Sequence, residues 1–138
     1  MLRRAVAPGV RPPGHVAAVV AYVADTREQA RRVLHRELPR WLGPGLAGHR
    51  RTDGQPHPVR DPHAYAELLA RIHPVGTTRQ CARSMTATIE RTGIRHLLCL
   101  VEGGGDRART LENIARLGGE VLPEVRRRAA GLAGRAPP

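Results

Sequence analysis

The sequence predicts an α/β fold in which a few short parallel strands are covered by helices. Three observations lead there. Segments of strand and helical character alternate along the chain, the pattern of βα units. Two runs, His15–Ala24 and Ile94–Val101, are apolar on both faces and rich in β-branched or leucine residues, as strands covered on both sides must be. The helical segments open on cap signals: Thr26 with Gln29, Asp61-Pro62, and Thr77 with Gln80.

Taken in order, residues 1–14 hold three prolines and two glycines and read as a disordered or extended arm. The arm carries arginines but no apolar core, so it does not read as a secretory signal. After the first strand, Asp25-Thr26 stops one element and starts the next. Ala30, Val33, Leu34 and Leu38 then recur at helical spacing, and Pro39 predicts the helix end. Trp41 and Leu42 are expected to pack over that end. Residues 43–61 read as a connection of the length found in functional loops or disorder. A second helix starts at Asp61-Pro62, with Tyr65, Leu68, Leu69 and Ile72 as its apolar stripe.

His73–Thr77 has room for a very short strand only. A third helix runs to about Thr92, with Cys81, Met85 and Ile89 on one side and Gly93 just past its end. The Ile94–Val101 strand leads through Glu102 into Gly103-Gly104-Gly105-Asp106. The last helix is expected over about residues 107–128, burying Leu111, Ile114, Leu117, Val121 and Val125, with Gly118-Gly119 weakening its middle. Residues 129–138 read as a tail. The domain proper is therefore residues 15–128.

Composition narrows the function. All 23 basic residues are arginine, aromatics make up 2%, and the formal charge is +11. The arginines are spread along the chain without aromatics among them, which argues against a nucleic-acid binder. Cys81 and Cys99 lack metal or redox spacing and read as small buried thiols. The seven histidines show no HxH or HxxxH pair beside a carboxylate, so no metal site is assigned. There is no nucleophile elbow, and no catalytic residue is assigned. No apolar run reaches the roughly 20 residues that span a bilayer, so no membrane partner is expected and the cytoplasm is the default compartment.

Two stretches could hold phosphate. Gly103, Gly104 and Gly105 lie between a strand and a helix, where backbone N–H groups can form an anion nest. Gly76 and Thr77 occupy the same kind of place. The simpler account of both is a turn capped by Asp106 or by Thr77. Glu102 sits at the C-terminal end of a strand, where α/β active sites collect, and reads as a rim carboxylate.

Three stretches resemble the luciferase-like monooxygenase family. "VAAVVAYVADTREQARRVLHRELPRWL" is similar to its strand–helix segment ending V-A-D-T before E-x-A-R. "HPVGTTRQCARSMTATIERTGIRHLLCLVEGGGD" is similar to its V-G-T-P-E segment with the following helix and strand, except that Thr78-Arg79 stand where the family has Pro-Glu. "TLENIARLGGEVLPEVR" is similar to its closing helix. Order and spacing agree over about residues 15–128.

The resemblance implies a (β/α)8 TIM barrel, of which this chain holds roughly the last three strand–helix units. It implies oxidoreductase chemistry on a small-molecule substrate with FMN or F420. The first five units have no counterpart here, so the resemblance also implies completion by self-association or by a second chain. The alternative is a truncated, non-catalytic paralogue or gene fragment that dimerises through open sheet edges.

Overall fold

The structure, a computed structural model, describes residues 15–55, 58 and 60–133. The expected arm (1–14), His57 and the end of the expected tail (134–138) lie outside the described residues. The elements are β1 (Val16–Val20), β2 (Tyr22–Val23), α1 (Arg27–Gly48), α2 (Pro62–Ile72), β3 (Val75–Gly76), α3 (Thr78–Thr92), β4 (His96–Leu100), α4 (Arg107–Arg116) and α5 (Leu122–Ala133). A 3-10 turn, Glu102–Gly104, follows β4, and a π turn, Leu117–Val121, joins α4 to α5.

The sheet is built around one strand. β1 pairs in parallel with β4, from Val16 opposite His96 to Val20 opposite Leu100. β2 pairs in parallel with β3 on the other edge, Tyr22 opposite Val75 and Val23 opposite Gly76. Ala21 sits at the handover, its N–H donating to Leu100 O at 3.0 Å while Tyr22 N–H donates to Pro74 O at 3.1 Å. The run read as one strand is therefore one strand with two partners, each covering part of its length.

That order differs from the order of three consecutive barrel units. Consecutive barrel units place the second strand between the first and third. Here the first strand lies between the other two, and β3 and β4 do not pair. Helices also cover both faces. Val20, Tyr22, Ala24 and Leu100 pack against Ala30, Leu34 and Leu38 of α1 and Ala66, Leu69 and Ala70 of α2. Ala21, Val23, Leu97, Cys99 and Val101 pack against Cys81, Ala82 and Met85 of α3 and Leu117, Val121 and Val125 of the last helical run. A doubly wound sheet has this order and layering. The chain steps from the central strand out to β3, then back across it to β4. With crossovers of the usual hand, reversing direction puts α3 on the face opposite α1. Two features of the sequence reading stand: a mixed α/β class and short parallel strands.

The caps form as the sequence implies. Thr26 accepts from Gln29 N–H at 3.1 Å, and Asp61 accepts from His63 N–H and Ala64 N–H. Gly93 is left-handed at φ 68° and closes α3 onto Ile89 O.

Three helical expectations need correction. α1 does not end at Pro39 but runs to Gly48 with Pro39 and Pro44 inside. A proline there removes one donor. Burial of Leu34, Leu38 and Pro39 itself offsets that loss, and Trp41 lies exposed along the helix. On α2, Ala66, Leu69 and Ala70 face inward while Leu68 and Ile72 are exposed. Two alanines let α1 approach closely, which turns the larger side chains outward.

The last helix is not one straight stripe. The π turn adds a residue to the helical register, so Leu117, Val121 and Val125 are buried while Leu111 and Ile114 remain 52% and 47% exposed. The final run continues as helix to Ala133, past the expected start of the tail.

Gly118 and Gly119 lie in this turn with open space beyond them and without positive φ. Gly119→Ala should therefore raise stability by about 0.5–1 kcal/mol, since alanine loses less backbone entropy. A higher urea midpoint at unchanged slope is the expected reading.

Candidate functional site

In open α/β sheets, ligands bind beyond the C-terminal ends of the strands, at the point where the chain reverses direction. In this molecule that point lies between the end of the central strand and the end of β4. Its floor is closed by Asn113. β4 turns away after Leu100, so the central strand's groups on that edge lose their ladder. The Asn113 side chain replaces it: Val23 N–H donates to Oδ1 at 3.0 Å, and Nδ2 donates to Ala21 O at 2.8 Å. Nδ2 also reaches Val101 O at 3.5 Å. Asn113 is 2% exposed, so these bonds form away from water.

Above this floor runs a polar chain. Asp25, just after the central strand, pairs with Arg116 of α4 at 3.0 Å. Arg116 also pairs with Glu120 at 3.2 Å, and Glu120 accepts from the Thr78 hydroxyl at the start of α3. The Thr78 hydroxyl, and then Arg116, hold the Glu120 carboxyl below the usual range. The chain ties the start of α3, the π turn and α4 to the end of the central strand.

The glycine loop is shaped by contact. A Cβ on Gly103 would stand 3.0 Å from Leu38 Cδ1 and 3.1 Å from Leu34 Cδ2. On Gly104 it would stand 3.0 Å from the Tyr22 ring and 3.3 Å from Arg109 Cβ. Gly105 is left-handed at φ 90°, and a Cβ there would meet the Glu37 carboxylate at 2.6 Å. The loop is thus pressed under α1.

One donor of the first turn of α4 is already satisfied, because Asp106 accepts from Arg109 N–H at 2.8 Å. The Arg109 guanidinium donates to Gly104 O at 3.2 Å and pairs with Asp106 at 3.1 Å and Glu37 at 3.6 Å. Burial raises the Tyr22 phenol above its ordinary pKa, opposed by the Arg109 charge. Two carboxylates already balance the arginine at this loop.

Gly76 and Thr77 lie at the other flank. Thr77 accepts from Gln80 N–H at 3.4 Å, and Gln80 Oε1 accepts from Thr77 N–H at 3.0 Å, a complete capping box. Gly76 has φ 144° and lies against that glutamine amide. The two candidate loops follow strands on opposite sides of the central one. They are separated by two strand spacings, about 10 Å. One phosphate cannot touch both; a ligand the length of a dinucleotide or flavin can span them.

The other sequence candidates are apart from this end or already engaged. Glu102 is exposed and accepts from Val101 N–H at 3.1 Å. His35 of α1 and His63 of α2 meet with ring centroids 5.9 Å apart and planes tilted by 54°. Among the described residues, no group of three or more His, Cys, Asp or Glu could hold a metal ion, and no helix is long and apolar enough to cross a membrane. Cys81 is buried and its thiol donates to Pro74 O at 3.3 Å; burial pushes its pKa up to about 12. Burial also raises the Cys99 thiol.

Compared with the models of known protein families and with curated proteins, the chain matches none. Sequence reasoning missed Asn113, Glu37, Arg109 and Arg116. A signal existed for the first: Asn113 stands four residues before Leu117, in line with the Leu117, Val121 and Val125 stripe.

Proposed function

We propose that this chain is a flavin-handling module of a luciferase-like oxidoreductase, taking FMN or F420 at the C-terminal ends of its parallel strands. The observation that carries the reading is the ordered similarity of three segments over residues 15–128. Two of those segments supply β1 and β4, which are parallel neighbours. The finer reading, a partial (β/α)8 barrel, assigns these two strands to the barrel wall and makes β3 an accessory rung on the far edge. Completion then comes from a second chain or another copy.

The test is direct. Purified protein is examined for flavin absorbance, then titrated with FMN and with F420 while ligand fluorescence polarisation is followed. Binding of one ligand at micromolar concentration is expected. Colourless protein that leaves both polarisations unchanged overturns the reading.

A second reading, a non-catalytic α/β protein that pairs with itself, is favoured by one observation. Val16 and Leu98 lie near each other on neighbouring strands at 60% and 55% exposure, an apolar strip on the half of the sheet that α1 and α2 leave open. Turnover of reduced flavin with oxygen rules it out. A monomer by sedimentation at 100 µM, roughly the scale of weak dimers, does so as well.

A further inference from the structure

We propose that His73 is a pH-operated latch holding the corner between α2 and β3 to the central strand. The geometry is specific. His73 Nδ1 accepts from Val20 N–H at 3.1 Å. Tyr22 N–H donates to Pro74 O and Ala24 N–H to Gly76 O at 3.1 and 2.9 Å. The imidazole is therefore the first of three rungs on this edge, standing where a strand carbonyl would stand. The second and third rungs come from the backbone of the corner that presents Gly76 and Thr77.

The backbone around His73 fixes the ring in place. The following residue is Pro74, which keeps His73 extended, at φ −101° and ψ 168°. Its N–H donates to Leu69 O at 2.9 Å, and its C=O accepts from Val75 N–H at 2.8 Å. With both backbone groups bound, the stem from which the ring reaches Val20 is held in place. Because Nδ1 accepts, the proton of the neutral ring sits on Nε2. Protonation adds a hydrogen to Nδ1 and sets two donors against each other, so the rung is lost.

Burial lowers the His73 pKa below its ordinary value, and desolvation is the sole cause. The titratable groups on the elements meeting at this corner do not contribute to the shift. They are Glu67 of α2, paired with Arg31, exposed Arg71 of α2, Tyr22 of the central strand and Cys81 of α3. The sign follows. The folded state prefers the neutral ring, so the stabilisation is complete above the unfolded histidine pKa of about 6.5. It is lost as pH falls from there through the lower folded pKa.

The experiment is an amide-resolved NMR titration of the whole chain between pH 7.5 and 5. The His73 ring should titrate below pH 6.5, and the Val20 amide shift should follow the same midpoint. From about pH 6.5 down to that midpoint the Val20 protection factor should fall by up to about tenfold per pH unit, while amides of α5 stay protected. His73→Asn offers an acceptor that does not titrate, so its Val20 protection should be flat with pH. A ring that titrates at or above 6.5 overturns the proposal, as does Val20 protection that is unchanged through the titration. If His73→Asn fails to fold, the wild-type titration decides alone.

Discussion

Asn113→Leu should lower the stability of this protein by about 3 kcal/mol, though it replaces a polar side chain with an apolar one of similar size. The amide of Asn113 satisfies Val23 N–H and Ala21 C=O, both on the central strand and both out of reach of β4. Leucine would fill the space and leave two buried backbone groups without partners. Each such group costs about 1–3 kcal/mol, far more than the net gain of a new apolar contact at a site already closed. A urea titration followed by circular dichroism reads the loss as a lower midpoint. Asn113→Asp separates the two bonds. The carboxylate still accepts from Val23 N–H but faces Ala21 O without a proton. That variant should recover part of its deficit relative to wild type as pH falls toward 4, where an aspartate gains the proton that can be donated. Equal stability of Asn113→Leu and the parent chain would mean that the amide is not the ladder's continuation.

The elements of this fold were legible where local chemistry decides them. Thr26, Asp61 and Thr77 start helices because each has a side-chain oxygen placed to accept from the first turn. Gly93 ends one because its φ is 68°. Sheet order was not legible. The run from His15 to Ala24 is apolar throughout, and nothing in such a run says that its first half pairs with one strand and its second half with another. That division depends on β3 having two residues and β4 five. The end of α1 was misread for a related reason: a proline signals a stop from local sterics, but burial of Leu34 and Leu38 on the same helix outweighs it. The exposed positions of Leu111 and Ile114 follow from the π turn, whose extra residue no periodicity count contains.

The candidate site was legible in position and not in detail. Glycines after β4 and before α4 mark a sharp turn from sequence alone. What the turn meets, α1 through Leu34, Glu37 and Leu38, comes from residues more than sixty positions away. The two short edges of the sheet are finished by side chains, Asn113 on one side and His73 on the other. Each supplies the hydrogen-bonding groups of a missing stretch of strand. Such substitutions are invisible to a reading based on strand propensity, because the residue that completes the ladder lies in or beside a helix.

Leu34→Ala should cost about 3 kcal/mol, and the more informative result is its coupling to Gly103→Ala. Leu34 is fully buried at the centre of the core shared by α1, α2 and the sheet, so truncation leaves a cavity and lands within the 2–5 kcal/mol typical of such sites. Gly103→Ala alone should cost about 1–3 kcal/mol, because its Cβ would arrive 3.1 Å from Leu34 Cδ2 and 3.0 Å from Leu38 Cδ1 in a region with no slack. Alanine at position 34 removes one of those two obstructions. The double variant should therefore be more stable than the sum of the two losses predicts, by about 1 kcal/mol. Ligand affinity gives a second axis. If the loop serves a flavin phosphate directly, Gly103→Ala weakens FMN or F420 binding beyond its effect on folding, and Leu34→Ala does not restore it. If the loop only seats α1, the double variant recovers binding together with stability. Strict additivity of the two stability losses would show that Gly103 and Leu34 do not compete for the same space.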